Sequence, residues 1–138
     1  MKDVIITIKG DQEYDGDGTD MEFVTEGEYR FENGKAIFNY PESELTGLEG
    51  TVTTVEADKS TVAISRKGAV AMNMLFEEGR KHYFMYKTQL GAMSIGVETS
   101  CVSSVFDEHG GELELKYFMN MENTQLSRNS LFINVKEA

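Results

Sequence analysis

GAMSIGVETSCVSSVF, residues 91–106, and ELELKYFMNMEN, residues 112–123, form the two arms of a hairpin that decides the fold. Apolar or small residues recur at every second position of both arms. In the first arm they are Met93, Ile95, Val97, Thr99, Cys101 and Val105, and in the second they are Leu113, Leu115, Tyr117, Met119 and Met121. Successive side chains of a strand point to opposite faces, so each arm is predicted to have one buried and one solvated face.

The length of these arms indicates a curved sheet. An extended arm would span roughly 40 Å at about 3.3 Å per residue, which is too long for a flat strand in one small domain. The first arm is therefore predicted to bend, and Gly96 is the expected position because glycine tolerates a kink. Long, bent strands favour a closed barrel, since closure removes exposed sheet edges.

The remainder of the chain continues the same period. Val4, Ile6 and Ile8 predict a short first strand, a polar loop is expected over 10–20, and residues 21–31 alternate strongly. Asn33 and Gly34 form the dipeptide most favoured for a two-residue hairpin turn. Further strands are predicted at 35–40, 51–56, 61–67, 70–76, 81–88 and 131–135, with a non-strand connection over 41–50.

No segment has the apolar spacing of a packed helix over ten or more residues. Antiparallel neighbours follow, because parallel strands need long crossover connections. The sequence therefore predicts an all-β fold, a single domain over 1–138 and an antiparallel, meandering barrel of about eight to ten strands.

The charge balance restricts the classes of partner. The chain has 13 Lys and Arg against 24 Asp and Glu, a net charge of -11, which disfavours binding to nucleic acid or to an anionic membrane. Cys101 is the one cysteine, so no internal disulfide forms, and its position predicts a small buried side chain. The N-terminal apolar run is too short for a signal peptide, and the expected location is the cytoplasm.

Several stretches together resemble the YwiB-like family of uncharacterised bacterial proteins. They are Arg66-Lys67-Gly68, Met74-Leu75-Phe76, Tyr86-Lys87-Thr88 with Gly91, Gly96-Val97-Glu98-Thr99, the run at 110–117 and the run at 130–135. The resemblance spans nearly the whole chain. It implies a calycin-like barrel, similar in fold to lipocalins and fatty-acid-binding proteins, and it supplies no catalytic residues.

The run Asp15-Gly16-Asp17-Gly18-Thr19 matches the D-x-D-G-T signature of haloacid-dehalogenase-type phosphotransferases. That chemistry needs a buried strand before the first Asp, whereas residues 11–14 are polar. A solvated acidic turn is predicted instead, with a weak surface cation site as the alternative. The two histidines, His82 and His109, and one cysteine are too few for a zinc site. No metal, cofactor or catalytic residue is predicted.

Arg66 is the most informative polar residue. It shares the parity of Val62 and Ile64, which predicts an inward side chain. A barrel of about eight strands has room for side chains or for one small ligand, and an inward arginine can clamp a carboxylate or phosphate. Alternatively, Arg66 reaches water or closes an internal ion pair. The predicted ligand-binding residues are Arg66, His82, Tyr86, Thr99 and Tyr117.

Three functions remain open at this stage. The first is a barrel that binds a small amphipathic or anionic ligand inside, with methionine-rich walls. The second is a packed barrel that serves as a structural or protein-interaction module, and the third is an enzyme that uses groups at the barrel mouth. The sequence leaves the oligomeric state undecided.

Overall fold

A computed structural model describes residues 1–14, 16–43, 48–68, 71–88, 91–122 and 124–138, and these residues form ten strands. The strands are β1 (Lys2–Tyr14), β2 (Asp17–Glu32), β3 (Lys35–Pro41), β4 (Thr51–Ala57), β5 (Thr61–Gly68), β6 (Met72–Glu77), β7 (Lys81–Thr88), β8 (Gly91–Asp107), β9 (Gly110–Met121) and β10 (Thr124–Glu137). Among the described residues, no helix is long and apolar enough to cross a membrane.

The strands form one sheet in the order β6-β5-β4-β3-β2-β1-β10-β9-β8-β7, and its ladders are antiparallel. Most neighbours in the sheet are also neighbours in sequence. The exception is the pair β1 and β10, which joins the first and last strands from Val4↔Glu137 to Glu13↔Arg128. This pairing curls the meander into a nearly closed barrel, which confirms the predicted fold class.

The alternation along the strands explains which side chains fill the interior. In β3, Ala36, Phe38 and Tyr40 are buried, and β4 buries every second residue from Thr51 to Ala57. Removing this apolar surface from water is the main driving force for folding. The largest fully buried side chains are Tyr29, Phe38, Phe76, Ile6, Ile8, Leu113, Leu115 and Ile133, with Val4, Val55, Val62 and Val97.

Two glycine positions have steric requirements. Asn33 and Gly34 both have positive φ, 54° and 76°, as a type I′ turn requires, so the predicted hairpin turn is confirmed. At Gly27 an added Cβ would clash with the Asn39 carbonyl oxygen and would lie 2.6 Å from Ile6 Cδ1. A larger residue there would separate β2 from its neighbours.

A seam separates β6 from β7. These strands contact each other, but no ladder joins them in the described part of the chain. Their connecting turn bonds to β8 instead: Gly79 N donates to Thr99 O (2.9 Å) and Thr99 N donates to Arg80 O (3.1 Å). Glu78 Oε1 also accepts from Val102 N at 3.0 Å. Side chains and the turn therefore close the barrel here.

A β-bulge overturns part of the predicted parity of β8. The pairing is continuous through Gly96, and the register shifts between Thr99 and Cys101. One inserted residue exchanges the faces of every residue that follows it. Cys101 is accordingly half-buried and Val105 is 72% exposed, whereas Phe106 packs on the core. The prediction that Cys101 and Val105 face inward was wrong.

The polar loop predicted over 10–20 was also wrong. β1 continues to Tyr14 and pairs with β2 from its first residue, so that Tyr14 lies opposite Asp17. Backbone hydrogen bonds hold this hairpin extension while both of its faces meet solvent, so no hydrophobic alternation marks it. Asp15, the first residue of the D-x-D-G-T match, lies outside the described residues, as do 44–47 of the predicted connection.

Candidate ligand site at the open end of the barrel

The two ends of the barrel differ in how their interiors are filled. We call the end with Tyr29, Phe38 and Phe106 the closed end, because these rings pack with centroids 5.9 to 6.4 Å apart. We call the end with Tyr40 and Arg66 the open end, since a cavity of about 660 Å³ lies there. The apolar side chains that line it include Ile8, Met21, Phe23, Leu48, Ile64, Met119 and Leu131.

Strand register aligns the polar residues of the open end. Tyr40 on β3 lies opposite Thr53 on β4, and Thr53 lies opposite Arg66 on β5. Glu42 follows β3, and its backbone N donates to Thr51 O at 2.8 Å, which holds the start of the connection against β4. These four side chains, Tyr40, Glu42, Thr53 and Arg66, are called the polar cluster below.

The polar cluster centres on one carboxylate oxygen. Glu42 Oε1 accepts a hydrogen bond from Thr53 Oγ1 at 2.5 Å and lies 3.7 Å from Arg66 Nε. Arg66 Nε also donates to Thr53 Oγ1 at 3.4 Å, and its Nη1 donates to Met72 Sδ at 3.7 Å. Arg66 therefore closes an internal ion pair, which was the alternative that the sequence left open.

The environment of the cluster raises the pKa of Tyr40. Burial raises the pKa of Tyr40 well above the ordinary value, and the charge of Glu42 raises it further. The cation of Arg66 opposes that rise. The raised pKa keeps the Tyr40 hydroxyl protonated even at alkaline pH, so that it can donate a hydrogen bond to Glu42.

Hydrogen bonding within the cluster is incomplete. The Glu42 side chain is 2% exposed, yet its Oε2 atom has no hydrogen-bond partner among the described residues. A buried acceptor without a donor is unfavourable, and such groups are rare in folded proteins. Arg66 Nη2 likewise makes no hydrogen bond to the part of the chain that the structure describes, and its side chain is 20% exposed. The cluster thus has one acceptor, Glu42 Oε2, and one donor, Arg66 Nη2, without a hydrogen-bond partner among the described residues.

Tyr117, a second predicted site residue, lines the same cavity as Arg66. Its ring meets Phe76 edge-on with centroids 4.8 Å apart, and burial raises the pKa of its hydroxyl. Thr99 lies opposite Tyr117 in the ladder and is buried, and its Oγ1 has no partner among the described residues. The structure therefore brings Arg66 and Tyr117 together, with Thr99 beside Tyr117.

His82 and Tyr86 lie on β7, outside the cavity wall formed by the described residues. His82 Nε2 is 3.0 Å from Glu77 Oε1, so this pair crosses the seam between β6 and β7. Tyr86 is half-buried against the core. Their ligand contacts, like those of the other predicted residues, stay predictions.

Sequence reasoning missed Tyr40, Glu42 and Thr53. The signal was present, because the inward parity of Ala36 and Phe38 continues through Tyr40 to Glu42. Pro41 and the polar run after it mark the end of a strand, which concealed that Glu42 still faces the interior. In β4 the same alternation places Thr53 between Thr51 and Val55 on the inward face.

Acidic side chains contribute to the exposed part of the cavity lining, which we call the cavity mouth. Asp11, Asp20 and Glu22 line it, and Asp11 and Asp20 also line an adjoining cavity of about 640 Å³. The described residues contain no group of three or more His, Cys, Asp or Glu able to hold a metal ion. The arrangement is suited to binding through apolar contact and hydrogen bonds.

Comparisons with known proteins agree with the barrel. A family model described as "Domain of unknown function (DUF1934)" matches residues 6–133. The "Uncharacterized beta-barrel protein YwiB" of Bacillus subtilis (strain 168) is 29% identical over 122 residues, which cover 88% of this chain and 84% of that protein. The crystal structure of the ywiB protein from Bacillus subtilis superposes with a TM-score of 0.87 at 26% identity, over 99% of this chain and 92% of that one.

Proposed function

Because the chain belongs to the DUF1934 family, whose description names no substrate or reaction, we propose its function from the cavity. The protein is a small-molecule-binding barrel that acts in the cytoplasm and takes up one amphipathic ligand at its open end. The apolar part of the ligand lies against Ile64, Met119 and Leu131, and its polar head reaches the polar cluster. Arg66 and Tyr117 are the predicted site residues that support this proposal directly.

One observation carries the proposal: the cavity ends on a buried, incompletely hydrogen-bonded cluster. A volume of about 660 Å³ falls within the range of small-ligand sites, roughly 300–1,000 Å³. Such sites have mostly apolar walls and a few convergent polar groups that orient the ligand. Here Glu42 and Arg66 provide those groups at one end of an apolar wall.

The test is to fill the cavity. Met119→Trp adds an indole where the ligand is expected, so binding of a neutral fluorescent apolar probe, N-phenyl-1-naphthylamine, should fall at least about tenfold from the wild-type value. Val105→Trp, on the 72% exposed position of β8, is the matched control and should bind the probe as the wild type does. Native mass spectrometry of freshly purified protein supplies the second measurement, because a retained ligand adds its mass to the wild type alone.

Either of two results would refute the proposal. The first is a wild type that binds no probe and carries no added mass. The second is equal probe binding by Met119→Trp and the wild type, with both proteins folded by circular dichroism, because the probe would then occupy some other surface.

A second candidate function, self-association, is favoured by the exterior of β7. Tyr83 and Met85 are 67% and 49% exposed on this strand, which has a ladder partner on one side only among the described residues. Neighbouring exposed apolar side chains on one face of a strand favour association with another chain. We propose, as the alternative, that two copies associate through β7. Light scattering tests it: a dimer that Tyr83→Ser converts to monomer supports this reading, and a wild-type monomer excludes it.

A further inference from the structure

We infer that the head group of the ligand is a neutral amide, in which an N–H donor and a C=O acceptor lie side by side, and is not a carboxylate or phosphate. This inference rests on the proposed function and specifies its ligand. It replaces the anionic ligand that Arg66 alone predicts. Three features favour a neutral head: the pairing of Arg66, the free acceptor and donor of the cluster, and the charge around the cavity mouth.

The charge of Arg66 is already balanced. Its Nε lies 3.7 Å from Glu42 Oε1 and also donates to Thr53 Oγ1. The Nε edge of the guanidinium is therefore already occupied by contacts within the cluster. An anionic head at Arg66 would lie beside the carboxylate of Glu42. Two negative charges in close contact repel strongly where water is scarce, so the carboxylate of Glu42 disfavours an anionic head group.

The free groups of the cluster define a complementary head. Glu42 Oε2 is a buried acceptor without a partner among the described residues, and Arg66 Nη2 is a donor without one. A primary amide offers two N–H donors on one atom and a carbonyl acceptor two bonds away. Its N–H donates to Glu42 Oε2 while its carbonyl accepts from Arg66 Nη2. A carboxylate satisfies only Arg66, and an ammonium satisfies only Glu42.

The cavity mouth reinforces this choice. Asp11, Asp20 and Glu22 line it, and the whole chain has a net charge of -11. An anionic ligand is repelled during approach as well as at the cluster. A cationic head is attracted by the mouth but meets the guanidinium of Arg66 at the cluster. A neutral head avoids both repulsions.

Three probes of equal chain length test the inference on the full chain: decanamide, decanoate and decylamine. Isothermal titration calorimetry at pH 7 should show that decanamide binds at least about tenfold more tightly than either charged probe, because only the amide satisfies both free groups. The apolar tail is the same in all three probes, so differences in affinity report the head group.

A substitution then locates the recognition. In Glu42→Gln the side-chain oxygen must stay toward Thr53, which donates to it, and toward the cation of Arg66, so the new NH₂ occupies the place of Oε2. A donor then faces the N–H of the ligand, and decanamide affinity should fall about tenfold. Glu26→Gln is the matched control: it removes the same charge from an exposed position of β2 and should change the affinity by less than about twofold.

The outcomes separate this inference from the proposed function. If decanoate or decylamine binds as tightly as decanamide or tighter, the inference fails and the ligand-binding barrel stands. If no probe binds, both fail. If Glu42→Gln does not fold, the ranking of the three probes on the wild type still decides.

Discussion

The closed and open ends of the barrel contain similar residues but differ in how they are completed. At the closed end, Tyr29 packs against Phe38 and Phe106, and its hydroxyl donates to Asp107 O at 2.6 Å. At the open end, Tyr40 packs edge-on against Phe23 with centroids 6.3 Å apart, and its hydroxyl contacts Thr53 and Glu42. One buried tyrosine bonds to the backbone, and the other bonds to a charged side-chain cluster.

This difference shows where binding capacity comes from. At the closed end the Tyr29 hydroxyl donates to a backbone carbonyl, and this hydrogen bond satisfies both groups. The polar cluster instead concentrates its contacts on Glu42 Oε1 and leaves Oε2 without a donor among the described residues. The closed end therefore contributes stability, and the open end has groups available for a ligand. Four sets of substitutions test that division, from the largest expected effect to the smallest.

The largest effect is expected from Leu113→Ala. Leu113 is fully buried, so its truncation should lower the free energy of unfolding by about 3–4 kcal/mol through lost burial and a new void. Leu131→Ala makes the same chemical change in the cavity wall, where space already exists, and should cost about 1 kcal/mol. Urea unfolding at pH 7 measures both. Equal losses would show that the cavity wall is packed as tightly as the core around Leu113.

Arg66→Met tests the ion pair of the open end. Removal of the guanidinium leaves the buried Glu42 carboxylate without its counter-charge, so the free energy of unfolding should fall by about 3 kcal/mol. Arg30→Met is the control, because Arg30 and Glu32 are both more than half exposed and their pair should contribute less than about 0.5 kcal/mol. A loss below about 1 kcal/mol for Arg66→Met would mean that water already solvates Glu42.

Tyr29→Phe removes one hydrogen bond from the closed end. The Asp107 carbonyl loses its donor, and the expected cost is about 1 kcal/mol at pH 7. Burial, followed by the charge of Asp107, raises the pKa of Tyr29 to about 12. The unfolded tyrosine ionises near pH 10, so the wild type should lose this contribution as the pH rises from about 10 to about 12.

Thermal unfolding followed by circular dichroism between pH 7 and pH 12 measures this change. The stability of Tyr29→Phe should fall less steeply over the alkaline range than that of the wild type. Parallel curves would contradict the assigned hydrogen bond.

His109→Gln should have the smallest effect, since the imidazole is exposed at the closed end. A hydrogen bond to Glu137 raises the pKa of His109, and the same contact lowers the pKa of Glu137. Because the pKa of His109 is higher in the folded state, its protonation stabilises the fold. This contribution is complete below the unfolded-state pKa of about 6.5, and it is lost as the pH rises through the folded-state pKa. The melting temperature of His109→Gln should therefore lie slightly below that of the wild type near pH 6 and match it near pH 9, about three units higher.

Glu137→Gln removes the other partner of the same contact. It should also lower the melting temperature near pH 6, and part of its effect should remain near pH 9, because it removes the ion pair with Lys2 (3.2 Å) as well. For His109→Gln, a difference that persists at alkaline pH would point to packing by the imidazole ring instead.

The sequence predicted the barrel well because hydrophobic alternation records the buried face of each strand. Two departures have physical causes that alternation does not record. The bulge beyond Thr99 inserts one residue and reverses the faces of Cys101 and Val105. The extension of β1 beyond Gly10 is held by backbone hydrogen bonds, which carry no side-chain signature.

The site could be predicted only in part. Arg66 was expected inside because it continues the parity of Val62 and Ile64, and Tyr117 because it lies on the inward face of β9. The pairing of Arg66 with Glu42 depends on how β3, β4 and β5 align, and a single sequence does not fix strand register. Because Arg66 is paired with Glu42, we infer a neutral head group instead of the anionic one that Arg66 alone predicts.

The pairing of β1 with β10 also has a kinetic consequence. The other ladders between described residues join strands that are consecutive in sequence, whereas Val4 and Glu137 are separated by almost the whole chain. The entropy lost on closing a loop rises with its length, so this ladder imposes the largest loop-closure cost in the fold. The local hairpins can form before it, and the rate of folding should depend on the encounter of the two terminal strands.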